Sequence, residues 1–123
     1  VLALHALPIT TLYSATKAFV LTFSRGIQQE VKDDGILVQA MLPAGTITEF
    51  YESSGSSITE FDPAIFMTVE NLVDAALAGL DRGEEVTMPS VQDEALWSDY
   101  DAARLKLMYG TQNGTPAPRY SVA

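Results

Sequence analysis

The sequence predicts part of an α/β fold in which helices pack against parallel strands. Long segments place apolar residues every three to four positions, as on one face of a helix. Short, almost continuous apolar runs lie between them, as in strands that are buried on both faces. Because the order is helix, strand, loop, helix, strand, helix, a layered α/β arrangement is favoured over separate helical and sheet domains.

The first predicted helix covers residues 12–34 and ends at Gly35. One stripe of this helix is apolar and carries Val20, Phe23, Ile27 and Val31. The predicted solvent side carries Gln28, Gln29, Lys32 and Asp33. The run "ILVQAML" at 36–42 follows, between Gly35 and Pro43, and is predicted to be a buried strand.

The segment after this strand begins with a turn, "PAGTITEF", at residues 43–50. Residues 52–62 are rich in Ser and Gly, and their composition is equally compatible with a flexible linker and with a loop that closes over a ligand. A second helix is predicted over 69–82, with Thr68 as N-cap and Gly83 at its end. Its apolar face consists of Val69, Leu72, Val73, Ala76, Leu77 and Leu80.

The remaining sequence predicts a short strand at 85–89 and a third helix over 93–108. Acidic residues fall in the first turn of this helix, and Arg104 and Lys106 lie near its end, as the helix dipole favours. We expect one domain over residues 1–109 and an irregular tail over 110–123. Two parallel strands would leave edges that a complete domain covers, so we expect the sequence to be part of a larger fold.

Composition excludes several classes of function. The chain has 123 residues, a formal net charge of −9 and no cysteine. The charge disfavours nucleic acid as a partner, and the lack of cysteine excludes disulfides and thiolate sites. No apolar run is long enough to span a membrane, so a cytoplasmic protein is expected. His5 is the only histidine, and no residues show the spacing of a metal site.

Tyr13 and Lys17 form the pair that carries chemistry. Residues four apart share a helix face, so a phenol and an ammonium are presented to the same place. A nearby cation favours the phenolate form of a phenol, which makes such a pair a usable proton donor and acceptor. By itself this spacing is weak evidence, because it occurs on many helices by chance.

The neighbouring residues strengthen that interpretation. "YSATKAFVLTFSRGIQQEV", then an apolar strand, then "PAGTITEF" closely resembles the second half of the short-chain dehydrogenase/reductase family. The resemblance implies the C-terminal portion of a Rossmann-like doubly wound parallel sheet, with three helices and about two strands. It also implies that Tyr13 is the catalytic acid/base and that Lys17 assists it and hydrogen-bonds the ribose of NAD or NADP.

The same resemblance implies a nicotinamide site in the turn after the strand. Ile47 would offer backbone groups and Thr48 a hydroxyl to the carboxamide. The implied cofactor-binding residues are Tyr13, Lys17, Pro43, Ala44, Gly45, Thr46, Ile47 and Thr48.

The sequence departs from the family pattern at two places. Members usually have Gly directly after the Pro of the turn, whereas here Ala44 precedes Gly45, and Ala resists positive φ. The family's catalytic serine, a dozen residues before the Tyr, would fall at or before Val1, and its Gly-rich turn and catalytic Asn belong to the first half. We therefore expect a truncated sequence.

Two functions follow as hypotheses. The first is hydride transfer between a nicotinamide cofactor and a small alcohol or carbonyl substrate, in a homo-oligomer formed through the 12–34 helix. The second is a non-catalytic remnant that associates through that helix. Cofactor binding would distinguish them.

Overall fold

The computed structural model describes residues 2–6, 8–47 and 62–120. Contacts divide the chain into two compact units, Val1–Ser90 and Val91–Ala123. Over the described residues the elements are α1 (Thr11–Val31), β1 (Ala40–Met41), β2 (Gly45–Thr46), β3 (Phe66–Met67), α2 (Val69–Asp81), β4 (Val86–Thr87) and α3 (Ala95–Gly110). Short 3₁₀ helices cover Leu2–Leu4, Pro8–Thr10, Lys32–Asp34, Pro63–Ile65 and Pro118–Tyr120.

The described strands pair in parallel, as the apolar runs predicted. β1 pairs with β4, with Ala40 opposite Val86 and Met41 opposite Thr87. The ladder is shorter than the predicted strands at 36–42 and 85–89, because only two residues of each run face a partner strand. The small core of the first unit forms here, from Leu21, Ala40 and Leu42, with Ala3, Leu4, Val86 and Met88 packed around it.

A second parallel pair was not predicted. β2 pairs with β3, with Gly45 opposite Phe66 and Thr46 opposite Met67. Two residues are too few to show the alternation that marks a strand in sequence. The pair ties the turn after β1 to the residues just before α2.

α1 occupies nearly the predicted range, but the buried side is not the predicted apolar stripe. The buried residues are Ser14, Leu21 and Gln28, seven positions apart. Val20 and Phe23 are 54% and 57% exposed. The 3₁₀ turn Lys32–Asp34 continues the helix, and Gly35 ends it in the left-handed conformation (φ 71°), as predicted.

Gln28 corrects a specific expectation. It was predicted on the solvent side, yet its side chain is only 3% exposed. Burial is tolerated because Nε2 donates to the backbone oxygens of Val38 and Glu85, each at 2.7 Å. Among the described residues, Oε1 has no hydrogen-bond partner. Gln28 thus connects α1 to the segments that lead into β1 and β4.

α2 begins and ends as predicted. The Thr68 hydroxyl accepts a hydrogen bond from the Asn71 N–H at 3.2 Å, and Gly83 has a φ of 72°. Within the helix, Gly79 is buried against β4. A Cβ at Gly79 would lie 2.5 Å from Thr87 Oγ1, so the helix and the strand approach as closely as they do only because this residue is glycine.

A polar cluster lies at the same contact. Gln39 Nε2 donates to Ala76 O and to Thr87 Oγ1, both at 2.9 Å. Thr87 Oγ1 donates in turn to Glu84 Oε2 at 2.9 Å. These bonds satisfy the polar side chains that lie between β1, β4 and α2.

The second unit contains α3, which is shifted from its predicted range. The helix begins at Ala95, so its predicted acidic first turn instead precedes it, and the Asp93 carboxylate accepts from the Ala95 N–H at 3.0 Å. Because α3 continues to Gly110, Arg104 lies in the interior, paired with Asp101 at 2.8 Å. The domain boundary predicted at 109/110 stays a prediction.

Candidate functional site

Tyr13 and Lys17 lie in the first two turns of α1 and meet on one face. The Lys17 Nζ lies 5.2 Å from the centroid of the Tyr13 ring, within the range of a cation–π contact. The Tyr13 side chain is 43% exposed, and Lys17 is exposed as well. The spacing in the sequence therefore predicted the placement of this pair correctly.

Hydroxyl groups around Tyr13 fix the start of α1. Thr10 Oγ1 and Ser14 Oγ lie 3.1 Å apart, and Ser14 is buried directly after Tyr13. Thr16 Oγ1 donates to the Tyr13 carbonyl oxygen at 2.7 Å, and Thr11 Oγ1 donates to Pro8 O at 3.1 Å. The backbone that carries the phenol is thus held from both sides.

A groove of about 650 Å³ runs between α1 and the segment that contains β1. Its volume falls in the range of small-molecule and cofactor sites. α1 lines one side of the groove with polar and apolar side chains, and residues 39–45 form the opposite side. The lining residues are Leu2, Ala3, Tyr13, Lys17, Val20, Leu21, Ser24, Gln39, Ala40, Met41, Leu42, Pro43, Ala44 and Gly45.

The groove brings together five of the eight residues that the family resemblance implied, namely Tyr13, Lys17, Pro43, Ala44 and Gly45. Thr46 and Ile47 are not among its lining residues. Thr46 Oγ1 lies 3.5 Å from Ala44 O. The Ile47 N–H donates to Met67 O at 3.0 Å, while the Ile47 side chain is 51% exposed.

Two predicted features fall on residues that the structure does not describe. Thr48 lies outside the described residues, and so does all of the predicted 52–62 loop except Asp62. The Asp62 carboxylate caps the 3₁₀ turn that follows it by accepting from the Ala64 N–H at 2.9 Å.

The turn after β1 uses glycine for a different reason than the sequence suggested. Neither Ala44 nor Gly45 has a positive φ. A Cβ at Gly45 would instead lie 2.8 Å from two carbon atoms of the Phe66 ring. Glycine at this position therefore makes room for an aromatic side chain of β3, and Ala44 is accommodated without strain.

Sequence reasoning missed Ser24 and Gln39 as groove residues. Ser24 lies seven positions after Lys17 and so shares its helix face, a signal that could have identified it. Its Oγ donates to Val20 O at 2.8 Å. No pattern in the sequence identifies Gln39 as a groove residue, because its position in the groove depends on which side of β1 the groove occupies.

Two searches cover the described residues alone. No group of three or more His, Asp or Glu side chains lies close enough together to hold a metal ion there. In the same part of the chain, no helix is both long and apolar enough to cross a membrane.

Comparison with known proteins matches these features to one family. The family model described as short chain dehydrogenase matches residues 1–58, which include the Tyr13–Lys17 pair and the turn after β1. Among curated relatives, the very-long-chain 3-oxoacyl-CoA reductase of Anas platyrhynchos is 39% identical over 64 residues, which are 52% of this chain and 20% of the reductase.

Two solved structures extend the similarity along more of the chain. A short-chain dehydrogenase from Sphingobium yanoikuyae in complex with NADPH is 45% identical, with a TM-score of 0.81, over 89% of this chain and 42% of that one. A bulky-bulky ketone specific alcohol dehydrogenase from Comamonas testosteroni is 40% identical, with a TM-score of 0.77, over 99% of this chain and 44% of that one.

The chain therefore spans less than half the length of each of these three proteins. The similarity confirms the predicted fold class, an α/β arrangement with part of a Rossmann-like parallel sheet. In sequence over residues 1–58, and in fold over most of its length, the chain is similar to the short-chain dehydrogenase/reductase family.

Proposed function

We propose that the protein carrying this chain is an NAD(P)-dependent oxidoreductase in which Tyr13 is the general acid/base. The observation that carries the proposal is the contact of Lys17 Nζ with the Tyr13 ring at the edge of a groove. A positioned phenol can give a proton to a carbonyl oxygen during reduction and take it from an alcohol during oxidation.

The residues around the groove fit a nicotinamide nucleotide. When bound, the cofactor would supply or accept the hydride. Lys17 offers ammonium donors for ribose hydroxyl groups, and the Pro43, Ala44 and Gly45 segment offers backbone and apolar surface. Thr46, Ile47 and Thr48 complete the proposed set. NADPH is bound by the Sphingobium yanoikuyae dehydrogenase; for this chain the proposal covers NAD and NADP alike.

The proposed substrate is a small alcohol or carbonyl compound. The names of similar proteins refer to 3-oxoacyl-CoA and to bulky ketones, both of which contain a carbonyl group. Tyr13 lines the same groove as the apolar residues Val20 and Leu42, which suits a substrate whose carbonyl is attached to apolar groups. The predicted cytoplasmic location remains part of the proposal.

We also propose that the protein is a homo-oligomer that associates through α1. Leu12, Phe19 and Phe23 are 80%, 68% and 57% exposed, and the two phenyl rings stack with centroids 5.8 Å apart. Apolar surface of this kind marks interaction sites in proteins. The alternative of a non-catalytic association module would use the same surface, but it offers no reason for the Tyr13–Lys17 groove.

The decisive experiment compares Tyr13→Phe with Tyr100→Phe. The two side chains are equally exposed, at 43% and 44%, but Tyr100 lies on α3 and stacks on Trp97. Measured as NADPH-dependent ketone reduction by the protein, Tyr13→Phe should lower kcat/KM by roughly 10²- to 10⁴-fold, the usual contribution of a general acid. Tyr100→Phe should leave it unchanged. Full activity of Tyr13→Phe would refute the proposed role.

A further inference from the structure

The segment that follows α3 contains a chemically reactive dipeptide. The sequence has two asparagines, Asn71 and Asn113, and only Asn113 is followed by glycine. Asn113, Gly114 and Thr115 are all exposed and lie outside the helix, which ends at Gly110. Asparagine in such positions is among the thermolabile residues of proteins.

The local geometry favours attack of the backbone on the Asn113 side chain. The Thr115 N–H donates to Asn113 Oδ1 at 2.9 Å, which folds the carboxamide back over the following residue. This donor also polarises the carboxamide carbonyl and would stabilise negative charge that develops on Oδ1.

The residue after Asn113 offers no steric obstacle. Gly114 has no Cβ, and nothing lies within 4 Å of the place where one would be. Its backbone nitrogen can therefore approach Asn113 Cγ through conformations that a larger residue restricts.

We propose that Asn113 is a site of spontaneous deamidation. The Gly114 nitrogen, after losing its proton to solvent, forms a bond to Asn113 Cγ. The bond from Cγ to the amide nitrogen breaks, and the nitrogen leaves as ammonia. Water then opens the resulting succinimide at either carbonyl, which gives aspartate or isoaspartate. Nothing is oxidised or reduced.

The products differ from asparagine in charge and backbone length. Each adds one negative charge to a chain whose formal net charge is −9. The isoaspartate product also inserts a methylene into the main chain, which displaces the Thr115 N–H from its present acceptor. α3 is expected to remain intact, because the bonds at its end, from the Thr111 N–H to Leu107 O and Met108 O and from the Gln112 N–H to Tyr109 O, precede the site.

The test is peptide mass spectrometry after incubation of the protein in mildly alkaline buffer. The Asn113 peptide should gain the mass of amide-to-acid conversion and split into aspartate and isoaspartate forms. Asn71 is the internal control, because it is exposed too but lies in α2 before Leu72. Equal conversion at both asparagines, or none at Asn113, would overturn the proposal.

Two variants test the roles of Gly114 and of the Thr115 N–H separately. Gly114→Ala should remove most of the conversion, since a Cβ hinders the approach of the backbone nitrogen. Thr115→Pro deletes the N–H that holds Oδ1 and should slow conversion while leaving the Asn-Gly pair intact. Unchanged rates in Gly114→Ala would contradict the site, and unchanged rates in Thr115→Pro would contradict the role of the hydrogen bond. Both readouts are independent of enzymatic activity.

Discussion

At the scale of single residues, the candidate site depends on a few contacts that each have a physical cause. Lys17 reaches the Tyr13 ring because four residues make about one helical turn. Ser14, between them in sequence, points the other way and is buried. Thus one turn of α1 both anchors the helix and presents the pair to the groove.

Replacing Lys17 tests the role of the ammonium. Lys17→Met keeps most of the aliphatic chain and removes the charge, so it should lower kcat/KM by roughly 10- to 100-fold, equivalent to about 1.4 to 2.7 kcal/mol of transition-state stabilisation. Weaker NADPH binding, seen by nicotinamide fluorescence, should accompany the loss. Lys106→Met on α3 is the matched control and should behave as the unmodified protein does. Equal effects of the two substitutions would argue against a local role.

Gly45 offers a test of packing next to the site. An added methyl group would collide with the Phe66 ring at 2.8 Å, so Gly45→Ala should lower the free energy of unfolding by about 1–3 kcal/mol, as overpacking does. Gly26→Ala is the control: it lies within α1 with open space around it and should stabilise by about 0.5–1 kcal/mol. Urea denaturation measures both. Replacing the ring with a smaller aliphatic side chain, in Phe66→Leu, should restore part of the stability that Gly45→Ala loses.

At the scale of elements, polar side chains set the distances between helices and strands. Gln28 joins α1 to two backbone segments, and Gln39 joins β1 to α2 and β4. Gly79 allows α2 to approach Thr87. The groove lies between α1 and β1, so its width depends on the connection that Gln28 makes between α1 and the segment before β1.

The contribution of Gln28 can be measured by comparing two neighbouring glutamines. Gln28→Met keeps the shape but leaves Val38 O and Glu85 O without this donor, so unfolding free energy should fall by about 1–3 kcal/mol. Gln29→Met, on the exposed side, should change it by less than about 0.5 kcal/mol. Urea denaturation curves measure the unfolding free energies of the two variants. Equal stabilities would mean that the two bonds contribute no more than the packing of an apolar side chain.

At the scale of the whole molecule, exposed apolar surface and acidic charge coexist. Large apolar side chains on α1 and α2 are exposed, although α1 contributes Leu21 to the small core of the first unit. The net charge of −9 opposes non-specific association. In the proposed oligomer, association through α1 would therefore depend on the fit of its apolar face.

The proposed oligomer can be tested on that face. Phe19→Ser combined with Phe23→Ser removes the stacked pair and should shift the protein toward the monomer in analytical ultracentrifugation. Leu107→Ser on α3, where the side chain is 70% exposed, is the control and should not shift it. A shift with Leu107→Ser and none with the double phenylalanine variant would place the interface away from α1.

Much of the local structure of this protein could be predicted from its sequence, because it depends on residues that are close together in the chain. Helical period places Tyr13 and Lys17 on one face, glycine ends α1 and α2 in the left-handed conformation, and the Thr68 hydroxyl caps α2. Parallel pairing followed from the continuous apolar runs. The resemblance to the short-chain dehydrogenase/reductase family followed from the order of motifs between residues 12 and 48.

Only the tertiary structure decided which surfaces meet. The sequence of α1 predicted Gln28 in solvent, yet acceptors on two distant segments make its burial favourable. Gly45 leaves space for the Phe66 ring, which lies twenty-one residues further along the chain. No rule based on neighbouring residues could indicate this contact. Helix periodicity and capping depend on neighbours in sequence, whereas burial depends on what another element brings into contact. That is why the pairing of Tyr13 with Lys17 was predictable, whereas the packing of Gln28 and Gly45 was not.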